Sequence, residues 1–192
     1  MRTVLAAVAA LALLAGCLSP RPDTSRYFTL PSPDATPVAG PGVASLGLGP
    51  IDLPPYLTRP EIASRAGPDE IRYAAGDRWA APLDELVARS LADELRVRVP
   101  AREVIRWPWP LQAPPEASVA VDFLRLEVDA AGGATLEARW TATVRGRPPI
   151  LGETRVKEPG QAGDTPASVA ALGRALGRLS AEVATALRPG GG

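Results

Sequence analysis

Residues 135–144 alternate with a period of two. Leu136, Ala138, Trp140, Ala142 and Val144 are apolar, and Thr135, Glu137, Arg139, Thr141 and Thr143 between them are polar. Successive strand side chains point to opposite faces, so this strand belongs to a sheet with one face buried and the other wet. Such a sheet needs a cover, and two segments of helical period can supply it. Leu83, Leu86, Val87, Leu91 and Leu95 recur at helical spacing, with Asp84, Glu85, Arg89, Asp93 and Arg96 on the other side. Pro82 suits the first helical turn, Asp84 and Glu85 suit the positive end of the helix dipole, and Arg96 and Arg98 suit its negative end before Pro100. A second helix is predicted from about Pro166 to Leu187, capped by Thr165, with Val169, Leu172, Leu176, Leu179, Val183 and Leu187 as its apolar stripe. Gly173 and Gly177 lie four apart in it. Arg174 and Arg178 beside them exclude a membrane span, and close packing of helix on sheet is preferred to a helix-mediated oligomer contact.

The partner of the alternating strand runs from Val119 to Val128 and joins it through Asp129 to Ala134, a turn containing Gly132-Gly133. Its apolar phase shifts between Phe123 and Leu124, which predicts a bulge. Leu151 to Lys157 adds a third strand. Upstream, Tyr27-Phe28-Thr29-Leu30 reads as an edge strand, and a loop follows from Pro31 to Gly42. Alternation from Val43 through Leu46, Leu48 and Ile51 stops at Pro54-Pro55. Ile62 to Arg65 and Glu70 to Ala74 form a hairpin around Ala66-Gly67-Pro68-Asp69. The expected fold is α+β: a single domain with a mostly antiparallel or mixed sheet and two main helices packed on one face.

Ahead of this domain stands one basic residue, Arg2, then an uncharged run from Thr3 to Leu14, then Leu14-Ala15-Gly16-Cys17. The run is shorter than the about 20 apolar residues a permanent span requires, and it fits the apolar core of a secretory signal. Small residues before a cysteine are where lipoprotein signal peptidase cuts once the cysteine sulfur carries diacylglycerol. Residues 1–16 are therefore expected to be a cleaved signal peptide, 17–25 a lipidated terminus and tether, 26–188 the folded domain, and 189–192 a flexible tail. Cys17 is the lipidation residue, and the membrane is the first expected partner. Leu18 stands where an aspartate would act as an inner-membrane retention signal, so the periplasmic face of the outer membrane is expected.

Several function classes are excluded by what the chain contains. Acidic and basic residues balance at 21 each, so no net charge steers the protein to nucleic acid. Cys17 is the one cysteine and there is no histidine, which removes intramolecular disulfides, the usual general base and the commonest zinc ligand. No catalytic residue, metal site or cofactor is expected. Asp69-Glu70, Asp84-Glu85 and Asp93-Glu94 could in principle supply a glycosidase acid and base, but two of these pairs fall on the first helix as part of its solvated face.

One segment is distinctive: Leu46-Gly-Leu-Gly-Pro-Ile-Asp-Leu-Pro-Pro-Tyr-Leu-Thr-Arg-Pro-Glu-Ile62, followed by Asp77-Arg78-Trp79-Ala80, Pro82-Leu83 and Trp107-Pro108-Trp109. It resembles the ABC-type transport auxiliary lipoproteins, the PqiC (YmbA) family, over nearly the whole mature chain. Thr58 and Glu61 depart from the family's frequent Asp and Gln. The resemblance implies a domain similar to the N-terminal domain of TolB-type proteins. It also implies a non-catalytic subunit that attaches an intermembrane lipid transport system to the outer membrane, with a mammalian-cell-entry (MCE) domain protein as partner and a homo-oligomeric ring as an option. Tyr56, Arg59, Arg78, Trp79, Trp107 and Trp109 are the expected partner-contact residues, or the residues that fix the loops making contact. Packing of the first helix on the sheet is the structural alternative for Trp79 and Trp107. The competing function is an independent lipoprotein that takes a lipid or other amphiphile into its own pocket.

Overall fold

The computed structural model describes residues 23–32, 35–37 and 42–188. The expected signal peptide over residues 1–16, Cys17 and residues 189–192 lie outside the described residues. Eight strands form one mixed sheet: β1 (Arg26–Phe28), β2 (Val43–Asp52), β3 (Glu61–Arg65), β4 (Ile71–Trp79), β5 (Ala101–Arg106), β6 (Ala117–Asp129), β7 (Ala134–Val144) and β8 (Ile150–Glu158). Two helices, α1 (Leu83–Arg98) and α2 (Thr165–Ala186), cover one face. No helix among the described residues is long and apolar enough to cross a membrane.

Strand β6 organises the sheet. Along one edge it pairs antiparallel with β7 over nearly its whole length, and β7 pairs with β8, giving the expected meander. Its other edge is shared: β2 runs parallel to the first half, and β3 runs parallel to the last two residues, Val128 and Asp129. Beyond β2 lies β5, also parallel; beyond β3 lie β4 and then β1. The sheet therefore forks at β6 into two short wings, and the chain crosses from one wing to the other between Asp52 and Glu61.

The core lies between sheet and helices. Helix α2 packs on β6, β7 and β8, α1 packs on β2 and β5, and the two helices touch each other. Leu46, Leu48, Val119, Phe123, Leu136, Leu91, Leu95, Leu176 and Leu179 are buried there. The register shift in β6 falls between Phe123 and Arg125, at the expected bulge. Before it, Val119, Val121 and Phe123 face the helices; after it, Leu126 and Val128 do, so an odd-numbered set hands over to an even-numbered one.

Four expectations are corrected. β5 was not anticipated, and Pro100 ends α1 only to begin a strand. Asp164, not Thr165, caps α2: its carboxylate accepts a 3.0 Å hydrogen bond from the Ala167 N–H. The Thr165 hydroxyl instead donates to Asp77 on β4. Gly173 meets a loop and not the sheet, since a Cβ there would lie 2.7 Å from Pro31 Cγ. Finally, Glu94 does not lie on a solvated face: it is fully buried between the helices, where Arg98 and the Ser180 hydroxyl donate to it at 2.9 and 3.1 Å.

Candidate functional site

The segment joining the two wings is built from proline. Pro54 and Pro55 cannot donate to a sheet ladder, so β2 ends and the chain enters a single 3-10 turn over Pro55–Leu57, closed by Leu57 N–H to Pro54 C=O at 2.9 Å. Thr58 reinforces the turn by donating its hydroxyl to Pro55 C=O at 2.8 Å. Leu57 drops into the core, only 3% exposed, while Thr58, Arg59 and Pro60 remain outside.

Tyr56, next to that anchor, points at a buried carboxylate. Its hydroxyl donates to Glu127 Oε2 at 3.0 Å. Glu127 is 1% exposed, and the alternation of Leu126 and Val128 towards the helices places it on the opposite face of the sheet. Such a charge must be paired and hydrogen-bonded. Arg65 of β3 donates through Nε to Oε1 and through Nη2 to Oε2, the latter at 3.1 Å. Arg125 of β6 donates to Oε1 through Nη2 at 2.7 Å and Nε at 2.9 Å, and its Nη1 reaches Glu137 of β7 at 3.0 Å. Burial pushes the Glu127 carboxyl up, but the hydrogen bonds from Arg65, Arg125 and Tyr56 outweigh it and hold the group below its ordinary value. Burial, followed by the charge of Glu127 and the hydrogen bond to it, pushes the Tyr56 phenol up to about 12.

A second tyrosine fixes the same turn from β4. The Tyr73 hydroxyl donates to Tyr56 C=O at 3.0 Å, and the Arg59 guanidinium lies 4.2 Å over the Tyr73 ring while pairing with Glu61 at 3.2 Å. The exit of the segment is held by Trp79 N–H to Pro60 C=O at 2.7 Å. The whole run is thus a rigid strap whose outer side presents Arg59.

The six residues singled out in the sequence fall into two places. Tyr56, Arg59, Arg78 and Trp79 gather on the wing formed by β3 and β4. Trp79 is buried in the core and holds the strap through its backbone. Arg78 sits in register with Tyr27 on β1 and Glu61 on β3, and its buried Nε has no hydrogen-bond partner among the described residues. Trp107 and Trp109 lie on the other wing, past β5, as an edge-to-face pair with ring centroids 4.9 Å apart. Glycine makes room for both: a Cβ at Gly47 would lie 2.8 Å from the Trp109 ring, and one at Gly49, whose φ is +120°, would lie 2.6 Å from Trp107 Cβ.

Glu127, Arg65, Arg125 and Tyr73 were not anticipated. Their signal was present in the bulge: past it, Arg125 and Glu127 share a face with Glu137, which an uninterrupted alternation from Val119 would not assign to them. The cluster offers no open cation for an anionic ligand and no free carboxylate for acid–base chemistry, because each charge is already satisfied by another. Among the described residues, no group of three Asp, Glu, Cys or His side chains could hold a metal ion.

The model of the ABC-type transport auxiliary lipoprotein component family matches residues 28–184, from β1 into the last turn of α2. The chain belongs to this family. The strap, the Glu127 cluster and the Trp pair all fall within the matched region. No curated protein matches the chain. Among solved structures, an uncharacterized protein shares 19% identity with a TM-score of 0.68, over 84% of this chain and 97% of its own. A protein of the DUF330 family from Xanthomonas campestris shares 21% identity with a TM-score of 0.66, over 82% of this chain and 92% of its own. At these identities the likeness establishes that the auxiliary lipoprotein has their fold, a single domain with a mixed sheet and two helices.

Proposed function

We propose that this auxiliary lipoprotein is the outer-membrane docking subunit of an MCE-type intermembrane lipid transport system. It is held by acyl chains on Cys17 at the periplasmic face and engages an MCE-domain protein through the Leu53–Pro60 strap. The observation that carries this reading is the rigidity of the strap. A loop of eight residues, anchored in the core by Leu57, is fixed at its entry by prolines, in its middle by Tyr56 on Glu127 and Tyr73 on the Tyr56 carbonyl, and at its exit by Trp79, while Arg59 stays outward. Order imposed before binding removes an entropic cost of association, and arginine and tyrosine are the side chains that most often carry interface energy.

Lipidation complements this role. Two or more acyl chains give stable membrane attachment where one is reversible, so the docking surface is kept beside the bilayer. Membership of a transport auxiliary family supports a partner in a transport assembly, and Leu18 after Cys17 supports the outer membrane as the site.

Capture of the full-length protein from its native envelope after brief crosslinking tests the proposal, with Cys17→Ser as the control. Recovery of an MCE-domain protein with the lipidated form, reduced for Cys17→Ser, is the expected result. Recovery of the intact lipoprotein with bound amphiphile and reproducibly no MCE-domain protein would overturn it in favour of independent lipid binding.

A further inference from the structure

β5 leads into Trp107-Pro108-Trp109-Pro110-Leu111, a loop that neither the core nor the Glu127 cluster uses. Trp107 is 47% exposed and Leu111 81% exposed. Trp109 turns back onto Gly47 and Pro115, so the loop is buttressed from beneath while its tip offers an indole and a leucine to the outside. Beside Trp107 opens a groove of about 540 Å³ between the start of α1 and the strands β2 and β5, lined by Leu48, Asp84, Glu85, Ala88 and Arg106. Among the described residues, Asp84, Glu85 and Arg106 have no ion-pair partner, because the ion pairs are made by other residues.

An exposed indole is most at home at the boundary between hydrocarbon and water, where its ring sits at the level of lipid headgroups. The charges beside it choose the kind of surface. A strongly anionic bilayer would be repelled by Asp84 and Glu85, whereas a zwitterionic phosphoethanolamine headgroup matches both signs: its phosphate suits Arg106, and its ammonium suits the two carboxylates and the face of Trp107. The nine residues from Cys17 to Arg26 extend at most about 30 Å, so a bilayer holding the acyl chains lies within that distance of β1, which stands at the opposite edge of the sheet from β5.

We propose that the Trp107–Leu111 loop is a second membrane contact, seating Trp107 and Leu111 among zwitterionic phospholipid headgroups with Arg106 and the Asp84–Glu85 pair on their phosphate and ammonium. This rests on the lipid anchor proposed above and not on the transport partner. Two attachments, one covalent and one through the loop, orient the domain on the bilayer, which a tether alone does not.

The test uses the full lipidated chain in vesicles of phosphatidylethanolamine and phosphatidylcholine, with and without bromine on the upper acyl chain, which quenches indoles that touch it. Bromination should quench part of the emission of the four tryptophans, from Trp107 first and its neighbour Trp109 less, and Trp107→Phe should sharply reduce that loss. Leu111→Ser, at a position 81% exposed, should weaken it. Flotation with the vesicles but no quenching would overturn the proposal and leave the anchor standing. Quenching undiminished in Trp107→Phe would also overturn it, as would protection of Trp107 only when a second protein is added. Failure of the full chain to float would overturn both the anchor and the loop contact.

Discussion

At Glu127, donors from Arg65, Arg125 and Tyr56 converge on one buried carboxylate, and the strap depends on all three. Removing one partner of a buried pair costs more than the pair contributes, because the others lose their counter-charge. Arg65 and Arg125 keep some contact with water, so Glu127→Ala should destabilise the domain by about 3 kcal/mol, at the lower end of that effect. Tyr56→Phe, which deletes one hydrogen bond to a charged group, should cost about 1.5 kcal/mol. Urea unfolding midpoints with unchanged slopes would check both. The pH dependence has a definite sign. The folded-state carboxyl of Glu127 is depressed, so its contribution is complete above the ordinary value of 4.5 and is lost as pH falls through the lower folded value. Asp77, lowered by the Arg26 hydrogen bond and then by Thr165, acts in the same direction below 3.8. Acid unfolding of Glu127→Gln should therefore be shallower than that of the parent, and an identical acid limb in the two proteins would refute the coupling.

The elements divide by how strongly their burial marks the sequence. β7 and both helices were legible because each buries one face against the core, so the period survives in Leu136 to Val144 and in the leucine stripes. The β6 bulge was legible as well, since it displaces a whole apolar set. β5 was not: Arg102, Glu103 and Arg106 leave Ala101, Val104 and Ile105 as its apolar residues, and an edge strand paired on one side only has little to bury. Within the site, Tyr56 and Arg59 were legible through their motif. Glu127 was hidden for the opposite reason, because Arg125 and Glu127, the two charges in the run from Phe123 to Val128, read as pointing to water until the strap that covers Glu127 is known. The cap of α2 was misplaced by one residue, since Asp164 and Thr165 can each cap a helix and the choice is made by Asp77, which claims the threonine hydroxyl. Gly173 carries a further consequence at this scale. A leucine there would drive into Pro31, displace the loop after β1 from α2, and cost about 2 kcal/mol by overpacking. Gly173→Leu should lower the thermal midpoint, and an unchanged midpoint would show that the loop moves aside freely.

The forked sheet gives the molecule two working edges. One wing, β3 with β4, supports the strap, and the other, β2 with β5, supports the Trp107 loop; β6 and the helices fix the two relative to each other through one core. Under the two proposals above, the Trp107 wing meets the bilayer and the strap wing meets the transporter. The chain belongs to the auxiliary lipoprotein family, and the proposed strap contact and Cys17 anchor would together make it a membrane-held adaptor. The most direct measurement places a photo-crosslinking residue at position 59 on the strap, and separately at position 155 on the exposed edge of β8, in the full-length protein in its native envelope. An MCE-domain protein crosslinked from position 59 and not from position 155 is the predicted result; equal yields from both positions, or none from position 59 with the lipoprotein intact, would contradict it.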